Sequence, residues 1–200
     1  MGKTHLTIGV AAALAVTRPA TVPGCLAAVM CGAVGGVICD IDTVRNEGHN
    51  DSIAVQLTAL AIAAGVLVLD WKRNTGLCAR VLALDKNRLI TGAIALFTLW
   101  VIGFFSNHRG FTHSIAAGAL FSQAVWMLCP PLSIPFAAAY ASHIFLDLLN
   151  KKSVRLLFPM KGGVYFDFFY SDRTANNLLF TLGIIASAFF IANGLALKII

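Results

Sequence analysis

Residues 89–129 read LITGAIALFTLWVIGFFSNHRGFTHSIAAGALFSQAVWMLC: two apolar runs separated by the polar stretch His108-Arg109-Gly110-Phe111-Thr112-His113-Ser114. A bilayer core is crossed by about 20 mostly apolar residues in a helix. The two runs therefore read as consecutive membrane helices, roughly 89–105 and 113–129, and the polar stretch as the turn between them at one membrane surface. Working outward, the same pattern recurs at 5–17, 22–39, 52–70, 132–150 and 175–197. Composition agrees: 58% of residues are hydrophobic and 12% charged, where a soluble domain carries about 25% charged residues. The expectation is one all-α, polytopic membrane helix bundle over residues 1–200, with six to seven membrane helices and an interfacial segment before the last.

The segment 5–17 is short, so it is expected to be tilted, partly embedded or preceded by a bend. Lys3 followed by an apolar stretch resembles a signal peptide. Because the segment holds His5, a candidate ligand, it reads as a retained helix. Gly32, Gly35 and Gly36 in the second span allow close helix approach. Pro130-Pro131 should break the chain between the fifth and sixth spans. Two polar connections are longer. Trp71–Arg88 is basic; Lys151–Thr174 is basic and aromatic, with Phe158, Tyr165, Phe166, Phe168, Phe169 and Tyr170. Both read as segments at the headgroup level.

The net charge is +6, but Lys and Arg sit in short segments between apolar runs. That placement suits membrane lipid headgroups, and no nucleic acid is expected as a partner. Cys25, Cys31, Cys39, Cys78 and Cys129 form no C-x-x-C pair and read as small buried apolar residues.

Threading seven spans up and down puts every candidate ligand on one membrane face: His5, Asp40 and Asp42, His108 and His113, His143 and Asp147. The spans were assigned from apolar length alone, so this convergence independently supports one composite site. The basic residues do not orient that face: eight lie on the site side and seven on the other.

Ionisable groups beside or within a bilayer are costly to keep without a use, and imidazole with carboxylate is the donor set of a zinc-like ion. His143 and Asp147, four apart, share a helix face about 6 Å apart along the axis. Asp40-Ile41-Asp42 ends an apolar helix and reads as a solvated cap or a chelating pair. Gly110 permits a tight turn that lets His108 and His113 converge. Arg109 is a planar donor fork suited to phosphate or carboxylate, or else a salt-bridge partner of Asp40 or Asp42. Thr112 or Ser114 would cap the next helix. His49 falls on the same face and reads as a loop residue. No G-x-S-x-G, Walker loop or G-x-G-x-x-G occurs, so metal-activated water is the better nucleophile candidate.

These residues resemble the YdjM-like inner-membrane metal-dependent hydrolases. The similarity covers the early His5, the D-I-D of Asp40–Asp42, H-R-G-F-T-H-S from His108 to Ser114, S-H-x-x-x-D from Ser142 to Asp147, and Val154-Arg155-Leu156-Leu157-Phe158-Pro159. Asn150 and Ser153 replace that pattern's Thr and Gly, and its late acidic residue has Asp172 and Asn176 as nearest counterparts. The resemblance implies a hydrolase dependent on a divalent metal, with a more distant likeness to all-helical enzymes acting on phosphodiesters. The expected ligands are His5, Asp40, Asp42, His108, His113, His143 and Asp147, holding one or two ions, zinc first. Arg109 and Asp147 are the expected catalytic residues, with Arg109, Lys151 and Lys152 binding substrate, a phosphoester and first a lipid one. The competing readings are a metal or ion transporter and a non-catalytic scaffold with a structural metal. Transport sites usually lie near mid-membrane with internal repeats; here the ligands cluster at helix ends.

Overall fold

The computed structural model describes residues 2–43, 50–166 and 173–196. The chain runs through α1 (Gly2–Thr17), α2 (Val22–Val37) tightening into a 3-10 turn (Ile38–Asp42), α3 (Asn50–Arg73), α4 (Leu77–Leu82) and α5 (Lys86–Phe105). A second 3-10 turn (Phe111–His113) then leads into α6 (Ile115–Leu128), α7 (Pro130–Leu149) and α8 (Arg173–Ala196). This is the expected all-α bundle. Hydrocarbon offers the backbone no partner, so each apolar run satisfies its amides internally as a helix.

Among the described residues, five stretches are long and apolar enough to cross a bilayer: Val22–Asp42, Ser52–Arg73, Lys86–Phe105, Pro130–Leu149 and Thr174–Ala196. The other two expected spans are helices of 16 residues (α1) and 14 residues (α6). At 1.5 Å rise per residue they reach only about 24 and 21 Å. The connection 71–88 is not all loop, since α4 lies inside it. Of the second connection's aromatics, Phe168, Phe169 and Tyr170 lie outside the described residues, as does His49.

Helix boundaries follow local chemistry. Thr21 accepts from the Gly24 amide, Asp85 from Arg88 and Ser114 from Ala117, each satisfying an amide that its helix start leaves unpaired. α6 stops at Leu128, Cys129 is extended, and α7 begins at Pro130, where a missing N–H costs nothing.

α1 is short but central, packing on α2, α7 and α8. Small residues permit it. A Cβ on Gly32 would meet Val10 Cα at 2.5 Å, and one on Gly36 would meet the His5 carbonyl oxygen at 2.5 Å. Backbone therefore lies on backbone, and His5 is carried to the end of α2. One apolar cluster (Val10, Ala13, Leu14, Ala28, Ala33, Val37, Ala59) joins α1, α2 and α3. Another, around Phe121, Phe136, Tyr140 and Ile144, joins α2, α5, α6 and α7. Cys25, Cys31, Cys39 and Cys129 are buried free thiols within this packing. α3, α5 and α8 turn large apolar side chains outward, among them Leu60, Phe97 and Phe189. In a bilayer that outer face meets acyl chains.

Candidate functional site

Four elements end together at one end of the bundle: the start of α1, the 3-10 turn after α2, the turn before α6 and the end of α7. They bring His5, Asp40, Asp42, His108, His113, His143 and Asp147 into one buried cluster.

At its centre, His113 Nε2 lies 3.3 Å from His143 Nε2 and 3.2 Å from Asp147 Oδ2. Asp40 Oδ1 is 3.7 Å from His113 Nε2 and 3.6 Å from His143 Nε2, and His143 Nε2 is 3.8 Å from Asp147 Oδ2. The helical i, i+4 spacing does place His143 and Asp147 on one face.

Hydrogen bonds on the far side of each ring decide where its proton sits. His143 Nδ1 is 2.7 Å from the Gly36 carbonyl, which can only accept, so His143 carries its proton on Nδ1. Thr112 Oγ1 donates its one proton to Asp42 Oδ2 at 2.8 Å. Toward His113 Nδ1, at 3.1 Å, the same oxygen must then accept. With Nδ1 protonated, each ring in its neutral form would present an Nε2 lone pair to the space that the Asp40 and Asp147 oxygens also face. Partners behind a ring that set its tautomer in this way are typical of metal-binding histidines.

The remaining members close around this core. His5 stacks on His143, with ring centroids 3.9 Å apart, and sets Nε2 3.5 Å from Asp147 Oδ1. Its buried Nδ1 has no partner. His108 Nδ1 is 2.9 Å from Asp42 Oδ1. Among the described residues, two groups of side chains could hold a metal ion, the donor atoms within each lying within 4.8 Å of one another: His5, His143 and Asp147; and Asp40, His108 and His113. The openings are at His108 and Asp40, whose side chains are 21% and 17% exposed against 0% for His113 and His143.

Asp40 and Asp42 do not act as a pair. Two residues apart in a 3-10 turn they point about 120° apart, so Asp40 faces the two histidines while Asp42 takes His108 and Thr112. Arg109 pairs with neither. Its Nη2 donates to Asp147 Oδ1 at 3.1 Å and its Nη1 to the Lys152 carbonyl at 2.6 Å, leaving buried Nε without a partner. Lys152 therefore enters through its main chain, and its side chain is exposed. Lys151 follows Asn150, whose Oδ1 accepts from the Lys151 amide. The left-handed residue of the turn is Arg109 (φ 59°), not Gly110 (φ −92°). Gly110 is needed for space, because a Cβ there would meet the Asn107 carbonyl oxygen at 2.7 Å.

Two contributors escaped the sequence reading. Thr112 is completely buried and links Asp42 to His113. Its carbonyl accepts from the Tyr140 hydroxyl, one turn before His143 on α7. Thr112 lay within the recognised heptad, where its position between two histidines was the available signal. Tyr140 offered none beyond standing three residues from His143.

A family model described as YdjM inner membrane protein matches residues 1–199. No curated protein and no solved structure matches the chain. The chain belongs to the YdjM inner membrane protein family and, with its membrane-length apolar helices, is an integral inner-membrane protein.

Proposed function

We propose that the His–Asp cluster holds one or two divalent ions, zinc first, and that the protein is a membrane-embedded metal-dependent hydrolase acting on a phosphoester. The observation that carries this is the meeting of two imidazole lone pairs and two carboxylate oxygens at 3.2–3.8 Å. Lone pairs facing one another in a buried site repel unless a proton or a metal cation lies among them, and this donor set and spacing suit the metal. Zinc bonds of about 2.0–2.2 Å imply ligand separations of about 3.3–3.6 Å in a tetrahedron, close to those found. With its histidines neutral, as metal ligation requires, the cluster sets three carboxylates against the guanidinium of Arg109 and is short of positive charge.

When bound, such an ion supplies Lewis acidity and activates water near neutral pH. Asp147, held at one oxygen by Arg109, keeps its other oxygen on the histidines. Arg109, its guanidinium on Asp147 at the edge of the cluster, is the cation nearest to a phosphoryl group bound there. The exposed edge at His108 and Asp40 is where substrate would enter, with Lys151 and Lys152 on the adjoining turn. A lipid phosphoester is the first substrate class to screen, because the site sits where membrane helices end. Placement at helix ends also favours hydrolysis over transport.

The test is metal analysis of purified protein, followed by lipid and phosphodiester hydrolysis with and without chelator. Chelator-sensitive turnover supports the enzyme; bound metal without turnover on any phosphoester supports the structural-metal reading. Two variants refine it. Arg109→Lys is expected to keep its metal and lose about 10²-fold in turnover, the scale for removing one charge-stabilising donor. Near-normal turnover would reduce Arg109 to an ion pair with Asp147. Thr112→Val removes the Asp42 donor and the His113 acceptor together, and about 10–100-fold in metal affinity should go with them. Calorimetric titration with zinc reads this directly, and unchanged affinity would detach Thr112 from the site.

A further inference from the structure

We propose that the hairpin 150–166 is a docking surface for anionic phospholipid headgroups, lying in the membrane interface beside the site. Its chain is pinned by a single antiparallel bridge between Val154 and Val164 and turns through 156–159, with inward and outward side chains following one another along it. Val154 is completely buried, Leu156 packs on the apolar cluster around Phe121, and Phe158 lies edge-on to Phe111. The opposite face carries Arg155, Leu157 and, past the turn, Met160 and Lys161. Leu157 is 62% and Met160 66% exposed. Such large apolar side chains are poorly placed in water on a firmly anchored hairpin.

The anchors set its depth. The Ile115 amide at the start of α6 donates to the Leu156 carbonyl, and the Phe166 amide donates to Leu148 at the end of α7. The Arg155 amide donates to the Arg109 carbonyl. The hairpin is therefore level with the ends of membrane helices, where headgroups meet acyl chains. Its charge fits the same occupant: Lys151, Lys152, Arg155 and Lys161 fall between Asn150 and Phe166, with no Asp or Glu. Apolar side chains beside cations are the pattern of an interfacial element that favours anionic lipid. The Lys152 carbonyl joins the hairpin to Arg109.

The test places Leu157→Trp or Met160→Trp in protein reconstituted into vesicles of phosphatidylethanolamine and phosphatidylglycerol. Emission is read as the difference from the parent, which has Trp71, Trp100 and Trp126. The new tryptophan should emit at short wavelength and be quenched several-fold better by brominated acyl chains than by aqueous acrylamide. Bromine on phosphatidylglycerol should quench more than bromine on phosphatidylethanolamine. Lys152→Gln, Arg155→Gln and Lys161→Gln together should remove that preference. Water-like emission quenched by acrylamide would overturn the proposal. So would short-wavelength emission indifferent to brominated lipid, which would mean the hairpin meets protein such as a second copy. Equal quenching by both lipids in the parent would overturn the anionic selectivity. None of these readouts requires bound metal or turnover, so they stand apart from the hydrolase reading.

Discussion

His113→Ala is expected to abolish bound divalent metal and, with it, hydrolysis, while the protein still inserts in the membrane. His113 touches more of the cluster than any other ring: Nε2 meets His143, Asp147 and Asp40, and Nδ1 meets Thr112. Its removal deletes a ligand and breaks the chain of hydrogen bonds through Thr112 to Asp42. Insertion depends on the apolar helices, which the substitution leaves untouched. Asp40→Ala should behave alike, since Asp40 closes the same lone-pair set. Metal content per chain and helical content in detergent are the paired measurements. Full metal stoichiometry in both variants would contradict the ligand assignment; loss of insertion would mean the cluster also supports the fold.

Gly36→Val is expected to lower stability and metal affinity together. A Cβ there meets the His5 carbonyl oxygen at 2.5 Å and Gly9 Cα at 3.2 Å, and no rotamer relieves a clash with backbone. Overpacking commonly costs about 1–3 kcal/mol and sometimes more. Here α1 must also move off α2, taking His5 from the cluster and disturbing the Gly36 carbonyl that holds His143. Both thermal stability and metal affinity should therefore fall. Gly65→Val on α3 is the control, because a Cβ there meets nothing within 4 Å. Equal thermal midpoints for the two variants would show that α1 and α2 do not rely on this contact.

Helix positions were readable because a bilayer converts apolar length directly into a span, and turn residues such as Pro130 mark the breaks. The common location of seven ligand-type residues followed from alternation alone, which needs only the number of crossings. The inner wiring was not readable. Arg109 reaches Asp147, 38 positions away, rather than Asp40 or Asp42, and His143 is set by a carbonyl 107 positions away. Such partners depend on helix rotation and depth, which apolar length does not encode. The division of labour within the D-I-D motif was not readable either: the 3-10 turn sends Asp40 to His113 and His143 and Asp42 to His108 and Thr112. The segment 150–166 was legible as interfacial, but which of its residues are anchored and which face outward was set by one bridge and a turn, which apolar length does not encode.

X-ray absorption at the zinc edge, on wild-type protein loaded with zinc in a bilayer or detergent, tests the central claim most directly. The expected first shell contains only nitrogen and oxygen at about 2.0–2.2 Å, with the outer-shell scattering of imidazole. His113→Ala should lose the bound zinc. A first shell containing sulfur at about 2.3 Å, as from Cys39 beside Asp40, would contradict the His–Asp assignment. So would a wild-type protein that retains no zinc.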